Sequence, residues 1–68
     1  DGFEDGIYFY KRISDEGYNL IKPGGFIAFE IGYDQGESVS ALLKQKGYRN
    51  VEVRRDLAGY DRVVMGFK

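Results

Sequence analysis

The side chain best placed for chemistry is Glu30, the one charge in the run Phe26-Ile27-Ala28-Phe29-Glu30-Ile31. A carboxylate taken out of water must be paired or neutralised. At the carboxyl end of a parallel strand it would stand where open α/β sheets place their ligands, and there it would shape the wall of a cleft. The competing reading is an ion pair with Arg62, at the start of a neighbouring antiparallel strand. That reading ranks first, because structural ion pairs perturb carboxylates in the same way. Asp5-Gly6, beside Phe3, reads first as plain helix capping; its second reading, as the border of a cleft, is one that only the family resemblance given below implies. Histidine and cysteine are both absent. Their absence removes the commonest general base and metal ligand, along with disulfides and thiolate metal sites. No Gly-x-Gly-x-x-Gly lies between a strand and a helix, and no nucleophile–base pair is available. The sequence therefore assigns no catalytic, cofactor-binding or metal-binding residue, and leaves Glu30, Asp5 and Gly6 as cleft-wall candidates.

Such candidates need elements to hold them. A helix is predicted from about Gly6 to Ile21, where Phe3, Ile7, Tyr10, Ser14, Tyr18 and Ile21 recur at helical spacing. Ile13 and Leu20 widen that stripe, with Arg12, Asp15, Glu16 and Asn19 on the other side. Asp1, Glu4 and Asp5 stand at the positive end of the helix, where carboxylates are favoured. Gly17 weakens the interior by up to ~1 kcal/mol and marks a close approach to a neighbour. Pro23-Gly24-Gly25 stops the helix. The strand Phe26–Ile31 follows, apolar enough to demand cover on both faces, as in a parallel sheet flanked by helices.

Asp34 and Glu37 have the spacing of a capping box, opening a helix that buries Val39, Leu42 and Leu43. Gly47 closes that helix as a left-handed residue, with Tyr48 packed back on Leu43. Val51 and Val53 alternate with Glu52 and Arg54, which predicts a half-buried strand. The loop Asp56–Asp61 leads to a last strand, Arg62–Lys68, with Val63, Met65 and Phe67 on one face and Val64 and Gly66 on the other. The order is α-β-α-β-β, the tail of a doubly wound sheet or half of a split βαβ motif. The short final loop predicts that the last two strands pair antiparallel or flank each other closely.

Composition bounds the rest. With 68 residues, 43% hydrophobic and 31% charged, the chain is at most one domain. A chain of this size buries only about 60% of its unfolded surface, so its core is marginal without outside support. A net charge of −1 argues against a nucleic-acid surface, which carries a basic patch. Lys46-Gly47-Tyr48-Arg49-Asn50-Val51-Glu52-Val53 partly follows the RNA-recognition octamer, but Asn50 and Val53 stand where stacking aromatics are needed. No apolar run approaches the ~20 residues of a membrane span, and the acidic start is unlike a signal peptide. A cytosolic origin is the expectation. The absence of Met at position 1 fits a piece excised from a larger protein. Tyr8, Phe9 and Tyr33 lie off the apolar stripes and are read as contacts to a part of the domain outside the chain.

Four segments carry a resemblance: Gly2-Phe3-Glu4-Asp5-Gly6-Ile7-Tyr8-Phe9-Tyr10-Lys11-Arg12-Ile13, Lys22-Pro23-Gly24-Gly25, Phe29-Glu30-Ile31-Gly32 with Gln35-Gly36-Glu37, and Asp56-Leu57-Ala58-Gly59 with Asp61-Arg62-Val63-Val64 and Gly66. Together, in order and over essentially the whole chain, they resemble the HemK-like protein-(glutamine-N5) methyltransferases, which modify the Gly-Gly-Gln glutamine of translation release factors. The resemblance implies the C-terminal portion of a Rossmann-like class I methyltransferase sheet, an α/β unit with its last three strands in the order fifth-seventh-sixth and the seventh antiparallel. It also implies that the glycine-rich loop for S-adenosylmethionine and the Asn-Pro-Pro-Tyr motif lie upstream, outside this chain, so that this portion alone is inactive. The implied partner of the parent enzyme is a release factor, with no direct nucleic-acid or membrane contact. A related glutamine methyltransferase for a ribosomal protein, a class I enzyme with a small-molecule substrate, and a self-standing α/β interaction domain remain open. The strand Phe26–Ile31, without its neighbour, is expected to be an open edge prone to self-association.

Overall fold

The computed structural model describes the backbone of residues 2–68 and the side chains of residues 7–68. The expectations for the side chains of Phe3, Glu4 and Asp5, for Gly6 as a cleft border, and for Asp1 lie outside those described residues. The elements are α1 (Gly2–Leu20), β1 (Phe26–Glu30), α2 (Gly36–Lys46), β2 (Arg49–Arg55) and β3 (Asp61–Phe67). This is the predicted α-β-α-β-β order. Helix α1 starts earlier than expected, since a glycine weakens a helix interior without ending it.

The sheet order is β1-β3-β2, and β3 runs antiparallel to both neighbours. Strands β1 and β2 are thus parallel to each other, and the closing strand lies between them. The register Ile27↔Gly66 and Phe29↔Val64 puts these four residues on one face. Both helices cover that face: Tyr10 of α1 meets Phe29 edge-on at 5.1 Å, and Gly66 lies against Leu43 of α2 and against Tyr48. The core is Ile31, Val39, Leu43, Tyr48 and Val64, with Ile7, Tyr10, Tyr18, Ile21, Ile27, Phe29 and Val51 packed around it. Gly17 does mark a close approach, with Ile27 against it.

Four expectations are corrected. The strand at 26–30 is covered on one face only: Phe26, Ala28 and Glu30 are exposed while Ile27 and Phe29 are half-buried. Both helices lie on the same side, so nothing among the described residues covers the other. Leu20 is 84% exposed and does not widen the buried stripe. Val53 is exposed as well, because only Val51 in β2 lies under the helices. The capping box does not form. Gln35, not Asp34, precedes α2, and no side chain caps that end; Glu37 remains as an acid in the first turn, favourable beside the positive end of the helix.

The other end of α2 is as expected. Gly47 has φ +112°, and the N–H of Tyr48 donates to the carbonyl of Leu43 at 3.0 Å while Gly47 N–H donates to Lys44 at 3.1 Å. This pattern satisfies the last carbonyls of a helix and folds the next side chain back onto it. Tyr48 is thereby buried, and its hydroxyl donates to the carbonyl of Ser14 in α1 at 2.9 Å. Helix α1 has no basic residue in its last turn. Lys68 supplies one from the far end of the chain: its Nζ donates to the carbonyls of Tyr18 and Ile21 at 2.6 and 3.0 Å and sits 4.7 Å from the Tyr18 ring centre.

Candidate functional site

The parallel strands β1 and β2 end on the same side of the sheet, where the loops 31–35 and 56–60 emerge. Open α/β sheets bind ligands at such carboxyl ends. Glu30, the last residue of β1, has an exposed side chain on the uncovered face. The expected ion pair with Arg62 is not formed. Ile31 N–H bonds the Arg62 carbonyl at 2.9 Å, so Arg62 lies opposite Ile31. Its side chain therefore leaves the sheet on the face opposite to that of Glu30. Arg62 pairs instead with Asp56, Nε to Oδ2 at 2.8 Å.

The backbone at Glu30 is engaged, while its carboxylate has no hydrogen-bond or ion-pair partner among the described residues. Tyr10 of α1 donates its hydroxyl to the Glu30 carbonyl at 2.9 Å, with Gln35 Oε1 3.4 Å away. Gln35 Oε1 also accepts the N–H of Gly32 at 2.8 Å. One glutamine side chain thus ties the turn after β1 to the helix above it.

The second loop is more tightly built. Asp56 Oδ1 accepts the N–H groups of Ala58 and Tyr60 at 2.9 and 3.0 Å, and Asp56 N–H bonds the Tyr60 carbonyl at 2.9 Å. The Arg62 guanidinium, with help from the Tyr60 and Ala58 amides, holds the Asp56 carboxyl below the usual carboxylate range. Arg55 Nε meets Asp61 Oδ1 at 3.0 Å. The Asp61 carboxylate fills the space a Cβ on Gly36 would occupy, which places a negative charge at the positive end of α2. The two loops touch through Tyr33 and Tyr60, whose ring centres are 5.6 Å apart. Both rings are exposed, as are Tyr8, Phe9 and Leu57.

Of the predicted candidates, only Glu30 can be placed among the described side chains. It stands alone there, while Asp5 and Gly6 lie in the first turns of α1, outside the described side chains. Sequence reasoning missed Asp56, Tyr10 and Gln35. For Asp56 a signal existed: Asp and Gly three residues apart occupy the first and fourth positions of the commonest turn. Nothing in the sequence marks the hydroxyl of Tyr10 as a partner for a carbonyl twenty residues away.

The arrangement is a scaffold of paired charges and pinned turns. Among the described residues no three carboxylate, histidine or cysteine groups converge as metal ligands. One depression of about 270 Å³ runs along the outer face of α1, lined by Tyr8, Lys11, Arg12, Asp15 and Glu16. Another of about 110 Å³ lies between the two helices. Neither is at the carboxyl end of β1. The first falls just below the roughly 300–1,000 Å³ of ligand pockets and the second well below it, and most of the side chains lining them are charged or polar. Tyr48 is buried and hydrogen-bonded, so the octamer at 46–53 presents no aromatic there for stacking on a base.

No protein-family model matches the chain. Among curated proteins, it is 45% identical over 67 residues to the release factor glutamine methyltransferase of Clostridium acetobutylicum, covering 98% of this chain and 24% of that protein. It is 44% identical over 68 residues to the corresponding protein of Caulobacter vibrioides, covering 100% of this chain and 24% of the relative. It is 47% identical over 64 residues to that of Aquifex aeolicus, covering 94% and 22% respectively. The chain spans about a quarter of the length of the curated relatives it matches.

Proposed function

We propose, from the premise that this chain is related along its whole length to release factor glutamine methyltransferases, that it forms the C-terminal part of such an enzyme's Rossmann-like catalytic domain. The observation that carries the reading is the 44–47% identity to several of these proteins over 94–100% of this chain. The order β1-β3-β2 with β3 antiparallel agrees with the fifth-seventh-sixth arrangement that the sequence resemblance implies. The parent enzyme would act in the cytoplasm on the glutamine of the release factor's Gly-Gly-Gln motif. Among the described residues no helix is long and apolar enough to cross a membrane.

S-adenosylmethionine would supply the methyl group in the parent enzyme. Such a transfer is governed by positioning and electrostatics. Neither depression fits the cofactor, since the side chains around each are mostly charged or polar and both lie away from the end of β1. This portion contributes the sheet's closing strands and part of the cleft wall, with Glu30, Asp5 and Gly6 as its contribution to that wall. By itself it is inactive.

Titrating S-adenosylmethionine into the 68-residue chain tests the reading, with no heat and no amide shift changes expected. Saturable micromolar binding would overturn the proposed absence of the cofactor site. The coding sequence upstream tests the family assignment separately. A glycine-rich loop and Asn-Pro-Pro-Tyr within the preceding ~100–200 residues, one domain's length, are expected. A start codon immediately before Asp1 would refute it.

A further inference from the structure

The two turns at the carboxyl end of the sheet are held by different means. The loop 56–60 is held from within its own hairpin, where Asp56 binds the Ala58 and Tyr60 amides and the Arg62 guanidinium. The turn 31–35 is held from another element. Tyr10 of α1 donates to the Glu30 carbonyl at 2.9 Å and stands 3.4 Å from Gln35 Oε1. That oxygen accepts the Gly32 N–H at 2.8 Å, and the Gln35 N–H returns to the Gly32 carbonyl at 3.0 Å. The turn is tight there: a Cβ on Gly32 would lie 3.3 Å from both Gln35 Oε1 and Asp34 Oδ1.

Little stability depends on these bonds. The Tyr10 ring is located by its edge-on contact with Phe29 at 5.1 Å, so α1 stays packed on β1 without the hydroxyl. The Glu30 carbonyl and the Gly32 N–H both lie at the surface, where water replaces a lost partner at small cost. What the bonds fix is the place of the turn relative to α1. That place bears on a ligand, because open α/β sheets bind ligands outside the carboxyl ends of their strands. In the order β1-β3-β2, β1 is the edge where the upstream strand of the proposed domain joins. The turn 31–35 therefore borders the crevice between this portion and the upstream one, and the loop 56–60 lies one to two strand spacings of about 4.8 Å further out.

We propose, resting on the methyltransferase reading above, that Tyr10 and Gln35 are positioning residues for the methyl transfer. They hold the turn 31–35 as the wall against which the polypeptide bearing the acceptor glutamine lies. Neither side chain touches the reacting atoms. Tyr10 acts through the Glu30 carbonyl and Gln35 through the Gly32 amide, so both act on the backbone of one turn. The acceptor is the ligand affected, because in that reading the loop that holds the methyl donor lies upstream. Misplacing a reacting group by about 1 Å lowers a rate by up to ~100-fold. Losing one hydrogen bond that keeps the turn in place lowers it by about two- to tenfold.

The full-length enzyme, assayed for methyl transfer to its release factor, tests this. Tyr10→Phe keeps the ring and deletes the hydroxyl. Its kcat should fall about two- to tenfold, with KM for S-adenosylmethionine unchanged and the melting temperature lowered by less than about 3 °C. Gln35→Met removes the acceptor oxygen and should lose as much. Gln35→Glu keeps an acceptor just before α2, where negative charge is favourable, and should restore most of that loss. Amide exchange in the same proteins reads the turn directly: Gly32 should exchange faster in Tyr10→Phe, while Ala58 and Tyr60, held by Asp56, should not respond. A Tyr10→Phe enzyme with full kcat, a loss confined to KM for S-adenosylmethionine, no recovery in Gln35→Glu, or unchanged exchange at Gly32 would each overturn the proposal. An unmodified enzyme that methylates no release factor would instead overturn the methyltransferase reading, and these positioning roles with it.

Discussion

Replacing Gly66 by alanine tests whether the core is as closely packed as the geometry implies. In the middle of a strand, glycine costs conformational entropy, so at an unhindered site Gly→Ala stabilises by about 0.4–1 kcal/mol. At Gly66 the added Cβ would lie 2.9 Å from Tyr48 Cβ and 3.4 Å from both Leu43 Cδ1 and Val51 Cγ2. None of these yields easily. Tyr48 Cβ is one bond from a backbone fixed by the turn at Gly47, and its ring is held by the 2.9 Å bond to Ser14. Leu43 is fully buried. The strain must therefore separate β3 from α2, and overpacking of this kind costs about 1–3 kcal/mol. Less the entropic gain, the net loss is about 1–2 kcal/mol. For a domain of this size that corresponds to a fall of roughly 4–15 °C in melting temperature. Thermal and urea unfolding at low micromolar concentration, where association is minimal, would measure it. A Gly66→Ala chain as stable as the parent, or more so, would refute the close approach of β3 to Tyr48.

Three further outcomes follow from the same contacts. Tyr48→Phe removes the hydroxyl from Ser14 and should cost about 0.5–1.5 kcal/mol in urea unfolding. Burial, reinforced by Tyr18 and Asp15, raises the Tyr48 hydroxyl above its ordinary value; stability from its neutral form is full below pH ~10 and lost as pH rises through the raised value, so the gap between parent and Phe variant should narrow in strong base, and a gap that widens there would contradict the assignment. Asp56→Asn acts in the opposite direction, because the depressed carboxyl contributes stability above its unfolded value of about 3.9 that is lost as pH falls through the lower folded one; the difference in melting temperature should be largest near neutrality and shrink in acid, and a pH-independent difference would count against the Arg62 pairing. Gly47→Ala forces a side chain into φ +112° and should cost about 1–2 kcal/mol, with Gly47→Asn closer to the parent; equal stability of all three would disprove the left-handed closure of α2.

Local chemistry made the elements legible. The stripe through Tyr10, Ser14 and Tyr18, the stop at Pro23-Gly24-Gly25 and the closure at Gly47 are all short-range signals, and each is where the pattern put it. What failed depended on relations between elements. Glu30 looked buried because its neighbours are apolar, but burial follows from which face the helices occupy. Arg62 looked like its partner because the strands are adjacent, but the register places Arg62 opposite Ile31. The Asp34–Glu37 box gave way to a glutamine whose side chain is drawn to Gly32, and a stripe of spacing alone cannot weigh that competition. Within the candidate site, the organisation around Asp56 was readable as a turn, whereas the capping of the Glu30 carbonyl by Tyr10 joins residues that only the tertiary fold brings together.

The clasp between Lys68 and the last turn of α1 ties residues 50 and 47 positions apart in the chain. During synthesis, the carbonyls at the end of the first helix have no charged partner until residue 68 has left the ribosome. Closing a loop that long costs entropy before the contact returns anything. The first helix is thus among the last elements to be completed, and a nascent chain released short of Lys68 carries that helix with its end unfinished.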